Sequence, residues 1–184
     1  MAAQARSAQS DHLAAVDTAA LEVGLSTSLQ QSNAATSNLT YESYRRTGLG
    51  AGVSLALRSR YPLVPVLELS RISLVEGSRA TASAGTVQTE LYAFAYRAGV
   101  SADLGRFRPA VGVGLYDLNV RARLQGQSYA SRELDFGYYA GLTAFPYIRG
   151  ALRIGVEIKG DLLSEAAINS VGAGVRMSYD ALQF

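Results

Sequence analysis

The chain has 184 residues, of which 48% are hydrophobic and only 17% are charged. This length suits one domain with a full core, whereas soluble domains usually carry about one quarter charged residues. The net charge is +2 and the basic residues are scattered, which argues against a nucleic-acid-binding protein. The absence of cysteine excludes disulfides and thiolate metal sites. No apolar run approaches the roughly 18 residues of a membrane-spanning helix.

The first 19 residues are polar and rich in alanine. They predict an N-terminal extension, either an unstructured tail or a short helix capped by Ser10 or Asp11. The segment Ala-Gln-Ala at residues 3–5 resembles the end of an export signal, which favours an exported chain.

From Leu21 onward, apolar residues alternate with polar or small ones, which is the pattern of β-strands with two unlike faces. Eight such segments are predicted, around residues 21–30, 48–58, 63–74, 92–104, 107–115, 133–143, 148–162 and 171–179. In the third segment Arg71 falls on the apolar side while Ile72 and Leu74 fall on the polar side. We therefore expect a β-bulge near Arg71 that restores the alternation.

The connections between the predicted strands alternate in length, as in an up-and-down barrel with short turns at one end and longer loops at the other. Tight turns are expected around residues 59–62, 105–106 and 146–147, and longer connections around residues 33–46, 76–88, 117–132 and 163–168. Rings with a polar tip favour the interfaces of a membrane. Aromatic residues cluster near both ends, with Tyr61, Phe107, Phe145, Tyr147 and Phe184 near the tight turns and Tyr44, Tyr92, Tyr116 and Tyr129 near the long connections.

The two faces of the predicted strands differ in charge. One face is apolar and essentially uncharged over about nine to eleven residues per strand, which matches the hydrocarbon thickness of a membrane. A soluble barrel would instead point its apolar face inward, and only a closed barrel satisfies its backbone groups in lipid. The sequence thus predicts an all-β fold, an eight-stranded antiparallel up-and-down transmembrane barrel that covers residues 20–184.

The other face is mostly glycine, alanine and serine with isolated charges, and it is expected to line the lumen. Glycine-rich stretches at residues 48–52, 112–114 and 172–174 leave room for arginines to reach carboxylates on neighbouring strands. We interpret these charges as structural, because a broken buried pair leaves an uncompensated charge; an ion-conducting or proton-conducting lumen is the alternative. The predicted lumen ion network comprises Glu22, Arg58, Glu68, Arg97, Asp103, Arg108, Glu133, Asp135, Arg149, Arg153, Glu157 and Arg176.

The eight alternating segments, the glycine-rich inner faces and the C-terminal aromatic residue resemble the small outer-membrane barrels of the OmpA, OmpX and OmpW type. The resemblance covers residues 21–184. It implies a bacterial outer membrane location with both termini in the periplasm, contact with membrane lipid and lipopolysaccharide, and an assembly signal at Tyr179 and Phe184 that the barrel-assembly machinery reads. Since Asp180 interrupts the alternation that leads to Phe184, a bulge or a short tail is expected there.

Enzymes with this kind of scaffold draw on a histidine in the barrel or its loops, whereas the only histidine here is His12. No catalytic, cofactor-binding or metal-binding residue is therefore predicted. The leading interpretation is a non-enzymatic barrel for envelope structure or for loop-mediated adhesion to an envelope protein or saccharide. The alternative is a channel for small solutes or apolar molecules, as in OmpW-like barrels, although eight strands leave an interior just wide enough for side chains. The residues suited to loop contacts are Tyr41, Tyr44, Arg45, Arg46, Arg79, Tyr129 and Arg132.

Overall fold

The computed structural model describes residues 19–32, 44–45, 47–59, 61–81, 85–124, 127–165 and 168–184. Almost all of the predicted N-terminal extension lies outside these ranges. In the described part, no helix is long and apolar enough to cross a membrane. The eight long strands of this part are β1 (Ala20–Ser32), β2 (Thr47–Arg58), β3 (Leu63–Thr81), β4 (Gly85–Ala102), β5 (Phe107–Leu124), β6 (Gln127–Arg149), β7 (Leu152–Leu163) and β8 (Asn169–Gln183).

The strands form a closed ring, which confirms the predicted eight-stranded up-and-down barrel. Each strand pairs antiparallel with the next, and β8 pairs with β1. At this seam the backbone N–H of Phe184 donates to the carbonyl of Ala19 at 2.8 Å. The register of the seam skips Ala181, and this bulge keeps Tyr179 and Leu182 on the outer face. The expected irregularity before Phe184 is therefore a bulge.

The outer face of the barrel is an apolar band. Large side chains such as Leu29, Leu67, Val111, Ile158 and Val175 are more than half exposed. On β1, β2, β7 and β8 the described outward positions carry no charge at all. So extensive an apolar surface is a liability in water but is favourable in hydrocarbon, so this band faces lipid.

The wall of the barrel is much taller on one side. Strands β3 to β6 have 18 to 23 residues, whereas the other four have 12 to 15. At a rise of about 3.4 Å per residue, six further residues add roughly 20 Å. Two of the predicted long connections are consequently strand extensions, since β3 and β4 stay paired to Thr81 and Gly85, and β5 and β6 to Leu124 and Gln127.

The bulge predicted near Arg71 occurs three residues farther along β3, and it does not bring Arg71 and Ile72 to the opposite faces. Arg71 and its neighbours keep their register with β2, and the irregularity occurs farther along, where the pairing with β4 skips Leu74. Ile72 and Leu74 point into the barrel and are 1% and 0% exposed. The alternation continues through this segment because Ile72 and Leu74 pack against apolar side chains inside the barrel. On the outer face, Arg71 donates a hydrogen bond to Glu90 at 2.9 Å.

The third tight turn also differs from the prediction. It lies at Gly150, whose φ of 57° is open to glycine without steric penalty, and β6 runs past Pro146 to Arg149. The register with β7 skips Phe145 and Pro146, and such a bulge tolerates the missing donor of a proline. Phe145, two residues after the inward-facing Thr143, lies in the lumen and is 1% exposed, instead of facing the membrane interface, and the bulge turns Tyr147 outward.

Candidate functional site

Six charged side chains from β3, β4, β7 and β8 meet in the middle of the lumen. We call them the central cluster: Glu68, Arg97, Glu157, Lys159, Asp161 and Arg176. The guanidinium of Arg97 donates to both carboxylate oxygens of Asp161 at 2.8 and 2.9 Å and to Glu68 at 2.5 Å. All six residues are at most 8% exposed. Three carboxylates face three bases, so the cluster is neutral.

The remaining members close the central cluster into one unit. Lys159 Nζ lies 2.6 Å from an oxygen of Glu68 and 3.0 Å from one of Glu157. Arg176 Nη1 lies 2.8 Å from an oxygen of Glu157 and 3.8 Å from one of Glu68. Because each base contacts more than one strand's carboxylate, the cluster ties β3, β4, β7 and β8 together across the lumen.

A second group of charges lies nearer the tight turns. This turn-side cluster consists of Glu22, Arg58, Asp103, Arg108, Arg153 and Asp180. Asp103 accepts from Arg58, Arg108 and Arg153 at 3.0, 3.2 and 3.3 Å. Arg108 also bonds Glu22 at 2.6 Å. Three carboxylates again face three bases.

Asp103 lies in the turn between β4 and β5, outside the strands. Partial burial by itself raises the pKa of its carboxyl, but the guanidinium groups of Arg108, Arg58 and Arg153 outweigh that effect and hold the pKa below its ordinary value. Folding therefore stabilises the deprotonated, negatively charged form of Asp103.

An apolar layer fills the lumen on the long-connection side of the central cluster. It consists of Ile72, Leu74, Ala93, Ala95, Tyr116, Leu118, Leu163 and Ile168. Tyr116 joins the layer to the charges below it, because its hydroxyl donates to Asp161 at 2.7 Å. Tyr116 is fully buried, so its predicted place at a membrane interface is wrong. Tyr92 does lie on the outer face but is only 6% exposed.

Glycines make these contacts fit. A Cβ at Gly112 would lie 2.6 Å from the ring of Tyr139, and one at Gly114 would lie 2.9 Å from the ring of Tyr116. The glycine-rich inner faces thus admit tyrosine rings as well as arginines. A lumen cavity lined by Glu68 and Arg97 measures about 10 Å³, which is room for about one water molecule.

Not every residue of the predicted ion network joins the two clusters. Glu133 is exposed above the apolar layer, and Arg149 is exposed beside the last tight turn. Asp135 is buried and accepts the backbone N–H of Glu165 at 3.1 Å. Lys159 and Asp161, on the polar face of β7, belong to the central cluster although they were absent from the predicted network.

Asp180 is a further member that the predicted network lacks. Its inward direction continues the alternation of Arg176 and Ser178, because the bulge at Ala181 comes after it in the chain. The local pattern therefore places Asp180 on the lumen face, although the predicted network did not include it.

Comparison with known proteins places this architecture. No protein-family model and no curated protein matches the chain. Among solved structures, Neisserial surface protein A is similar with a TM-score of 0.56 and 12% identity, over 88% of this chain and 98% of that one. The fold is that of the small outer-membrane barrels. Ail, the attachment invasion locus protein of Yersinia pestis, gives a TM-score of 0.55 and 11% identity over 92% and 99% of the two chains. The outer membrane protein OprG from Pseudomonas aeruginosa gives a TM-score of 0.52 and 9% identity, over 92% of this chain and 96% of that one.

The residues predicted for loop contacts fall into two groups on this outer-membrane barrel fold. Tyr41 and Arg46 lie outside the described residues. The short segment Tyr44–Arg45 pairs with β3 ahead of β2, and the backbone of Arg79 pairs within the β3–β4 hairpin.

Tyr129 and Arg132 belong to the β5–β6 hairpin. Tyr129 is 55% exposed, and the side chain of Arg132 is 72% exposed. Arg132 donates to both oxygens of Asp117 at 2.7 Å. These hydrogen bonds lower the pKa of Asp117 and raise that of Arg132. This exposed ion pair marks the base of the protruding hairpin.

Proposed function

We propose that the chain is a non-enzymatic barrel of the bacterial outer membrane whose filled lumen is structural and whose protruding β5–β6 hairpin binds a protein partner outside the cell. In this proposal the tight turns and both termini face the periplasm and the tall wall faces outward. The short turns at one end and the extensions at the other support this orientation.

The observation that carries the proposal is a free strand edge. Every position of β6 from Gln127 to Leu134 is exposed, and β7 pairs with β6 only from Gly137 onward. Within the described residues, one side of this stretch therefore presents backbone groups that no neighbouring strand uses. An extended segment of another protein can add to such an edge through main-chain hydrogen bonds.

Side chains on the same stretch provide a means of selection. Tyr129 supplies a large ring with a polar tip, and Arg132 and Glu133 supply exposed charges of both signs. In strand addition the backbone gives affinity, while alternate side chains discriminate between partners. This arrangement supports adhesion or partner binding at the hairpin.

The described lumen supports a structural role and does not favour the channel alternative. Two neutral ion clusters and one apolar layer fill it at successive levels. Any solute would have to break buried ion pairs, each costly to separate. The same proposal includes contact of the outer band with membrane lipid and lipopolysaccharide, and reading of the outward-facing Tyr179 and Phe184 by the assembly machinery.

The test compares two shortened barrels. In one, residues 122–129 of the β5–β6 hairpin are replaced by an Asn-Gly turn; in the matched control, residues 78–88 of the β3–β4 hairpin are replaced in the same way. Cells that display each form are assayed for adhesion to immobilised laminin, fibronectin and heparin. Binding to one of the two proteins should be weakened only in the first variant, which loses Tyr129 and three of the eight exposed positions of the free edge.

Equal binding by the two shortened barrels, or binding to none of the probes by the full chain, contradicts the proposal. Conductance provides an independent check. Resolvable current steps from the full-length barrel in a planar bilayer would argue for the channel alternative instead.

A further inference from the structure

A cationic group lies on the outer face where the apolar band ends. Tyr92 faces outward on β4, and the guanidinium groups of Arg71 and Arg121 lie 4.6 and 5.2 Å from the centre of its ring. Arg71 also bonds Glu90 at 2.9 Å, and its side chain remains 49% exposed. We call Arg71, Glu90, Tyr92 and Arg121 the outer rim site. Two guanidinium groups against one carboxylate give these four residues a net positive charge, and the exposed Glu76, which pairs with Glu90, lies farther along β3 on the side away from Leu67 and Leu69.

An apolar groove begins beside this site. It has a volume of about 540 Å³ on the outer surface of β1 to β4, and Leu67, Leu69, Tyr96 and Ala98 contribute to its lining. Arg71 follows Leu69 by two residues on the same strand, a distance of roughly 7 Å. The groove therefore has cations near one end and uncharged side chains along its outer wall, while Ser54, Glu68 and Arg97, which also line it, make their side-chain bonds inside the lumen.

We propose that the groove and the outer rim site together bind one phosphate-bearing anionic lipid, with its phosphate on Arg71 and Arg121 and an acyl chain along Leu67 and Leu69. A guanidinium presents paired donors that match phosphate oxygens. Contact with the Tyr92 ring holds both arginines at the same place. This inference rests on the proposed membrane insertion and names a lipid that the inserted barrel would retain.

Charge complementarity selects this occupant. The outward positions of β1, β2, β7 and β8 carry no charge in the described structure, so these four strands offer no comparable headgroup site, and on β5 and β6 the outward Arg132 is already paired with Asp117. Glu90 would repel a phosphate but already accepts from Arg71. The net positive charge that remains suits an anion at the level of the headgroups.

The experiment measures lipid binding to the folded full-length barrel in detergent by native mass spectrometry. The probes are bisphosphorylated lipid A and the same lipid after enzymatic removal of its phosphates. The unmodified barrel should retain the phosphorylated lipid roughly tenfold more strongly. Equal retention of the two lipids overturns the proposal without recourse to any variant.

Variants then locate the site. Arg71→Met combined with Arg121→Met should reduce binding of phosphorylated lipid A to the level of the dephosphorylated form. Arg121→Met alone should weaken the preference for the phosphorylated lipid, and Arg123→Met is its matched control, because it removes the same single charge on β5 two residues farther from the band and should bind as the parent does. A double variant that folds and still prefers the phosphorylated lipid contradicts the assignment.

The groove has its own variant. Ala98→Phe places a ring in the groove and should weaken both lipids by the same factor, since it leaves the cations in place. A dimer of barrels that Ala98→Phe dissociates would assign the groove to a second copy and overturn the proposal.

Failure of this inference can be distinguished from failure of the proposed function. The barrel with residues 122–129 replaced keeps Arg71 and Arg121, so it should adhere more weakly while it still retains phosphorylated lipid A.

Discussion

Loss of Arg97 should destabilise the barrel more than loss of any exposed arginine. Arg97 is 3% exposed and donates to Glu68, Ser70 and Asp161. Arg97→Met leaves three carboxylates of the central cluster facing two bases. A buried charge without its partner costs about 3 to 5 kcal/mol of unfolding free energy. This corresponds to a decrease of roughly two to three and a half powers of ten in the folding equilibrium.

A second substitution separates charge balance from packing. Asp161→Asn on the Arg97→Met background leaves two carboxylates facing two bases, so the cluster is neutral again. We expect the double variant to be about 2 kcal/mol more stable than the sum of the single losses predicts, which is within the usual range for coupled residues. Arg149→Met, at an exposed position, serves as the control and should change stability by no more than about 0.5 kcal/mol.

The assay is urea unfolding of the barrel in lipid vesicles, followed by circular dichroism and by tyrosine fluorescence, with coincident transitions as the test of two-state behaviour. Strict additivity of the two substitutions would refute the view of the central cluster as one electrostatic unit. So would a loss below about 1 kcal/mol for Arg97→Met, which is the range of exposed pairs.

Three further predictions concern the turn, the seam and the C-terminus. Because the pKa of Asp103 is held below its ordinary 3.8, its stabilisation is complete above that value and is lost as the pH falls through the lowered pKa; the urea midpoint should decrease below about pH 4, and less so in Asp103→Asn. Gly174→Ala should cost about 1 to 3 kcal/mol, since its Cβ would overlap the backbone of β1, whereas Gly160→Ala, whose Cβ would lie 3.7 Å from its nearest neighbour, should be nearly neutral in the same assay. Phe184→Ala should lower the amount of heat-modifiable, folded barrel in cells while leaving the urea midpoint in vesicles almost unchanged; equal amounts in cells would argue against an assembly role.

Alternation along the chain was sufficient to predict the ring, because period two assigns each side chain to the lipid or to the lumen. Alternation could not predict how far along the barrel axis a side chain lies, and therefore which other side chains surround it. Glu133 falls above the apolar layer and is exposed. Ile72 and Leu74 have the side that alternation gives them, but only the structure shows that apolar neighbours surround them there.

Bulges limited the prediction in a different way. A bulge changes the side of every later residue, and its position depends on packing with neighbouring strands. The irregularity at Phe145 and Pro146 turns Tyr147 outward, and the one at Ala181 turns Leu182 outward. Neither outcome follows from local composition, because both depend on the partner strand.

The seam between β1 and β8 constrains the order of synthesis, barrel closure and membrane insertion. It joins the two ends of the barrel sequence, so its hydrogen bonds can form only after the last strand has been synthesised and the entropy of closing a very long loop has been overcome. Until then the sheet has two open edges whose backbone groups lipid cannot satisfy. Insertion and closure must therefore be completed together, and a chain that stops before β8 loses the entire ring instead of one strand.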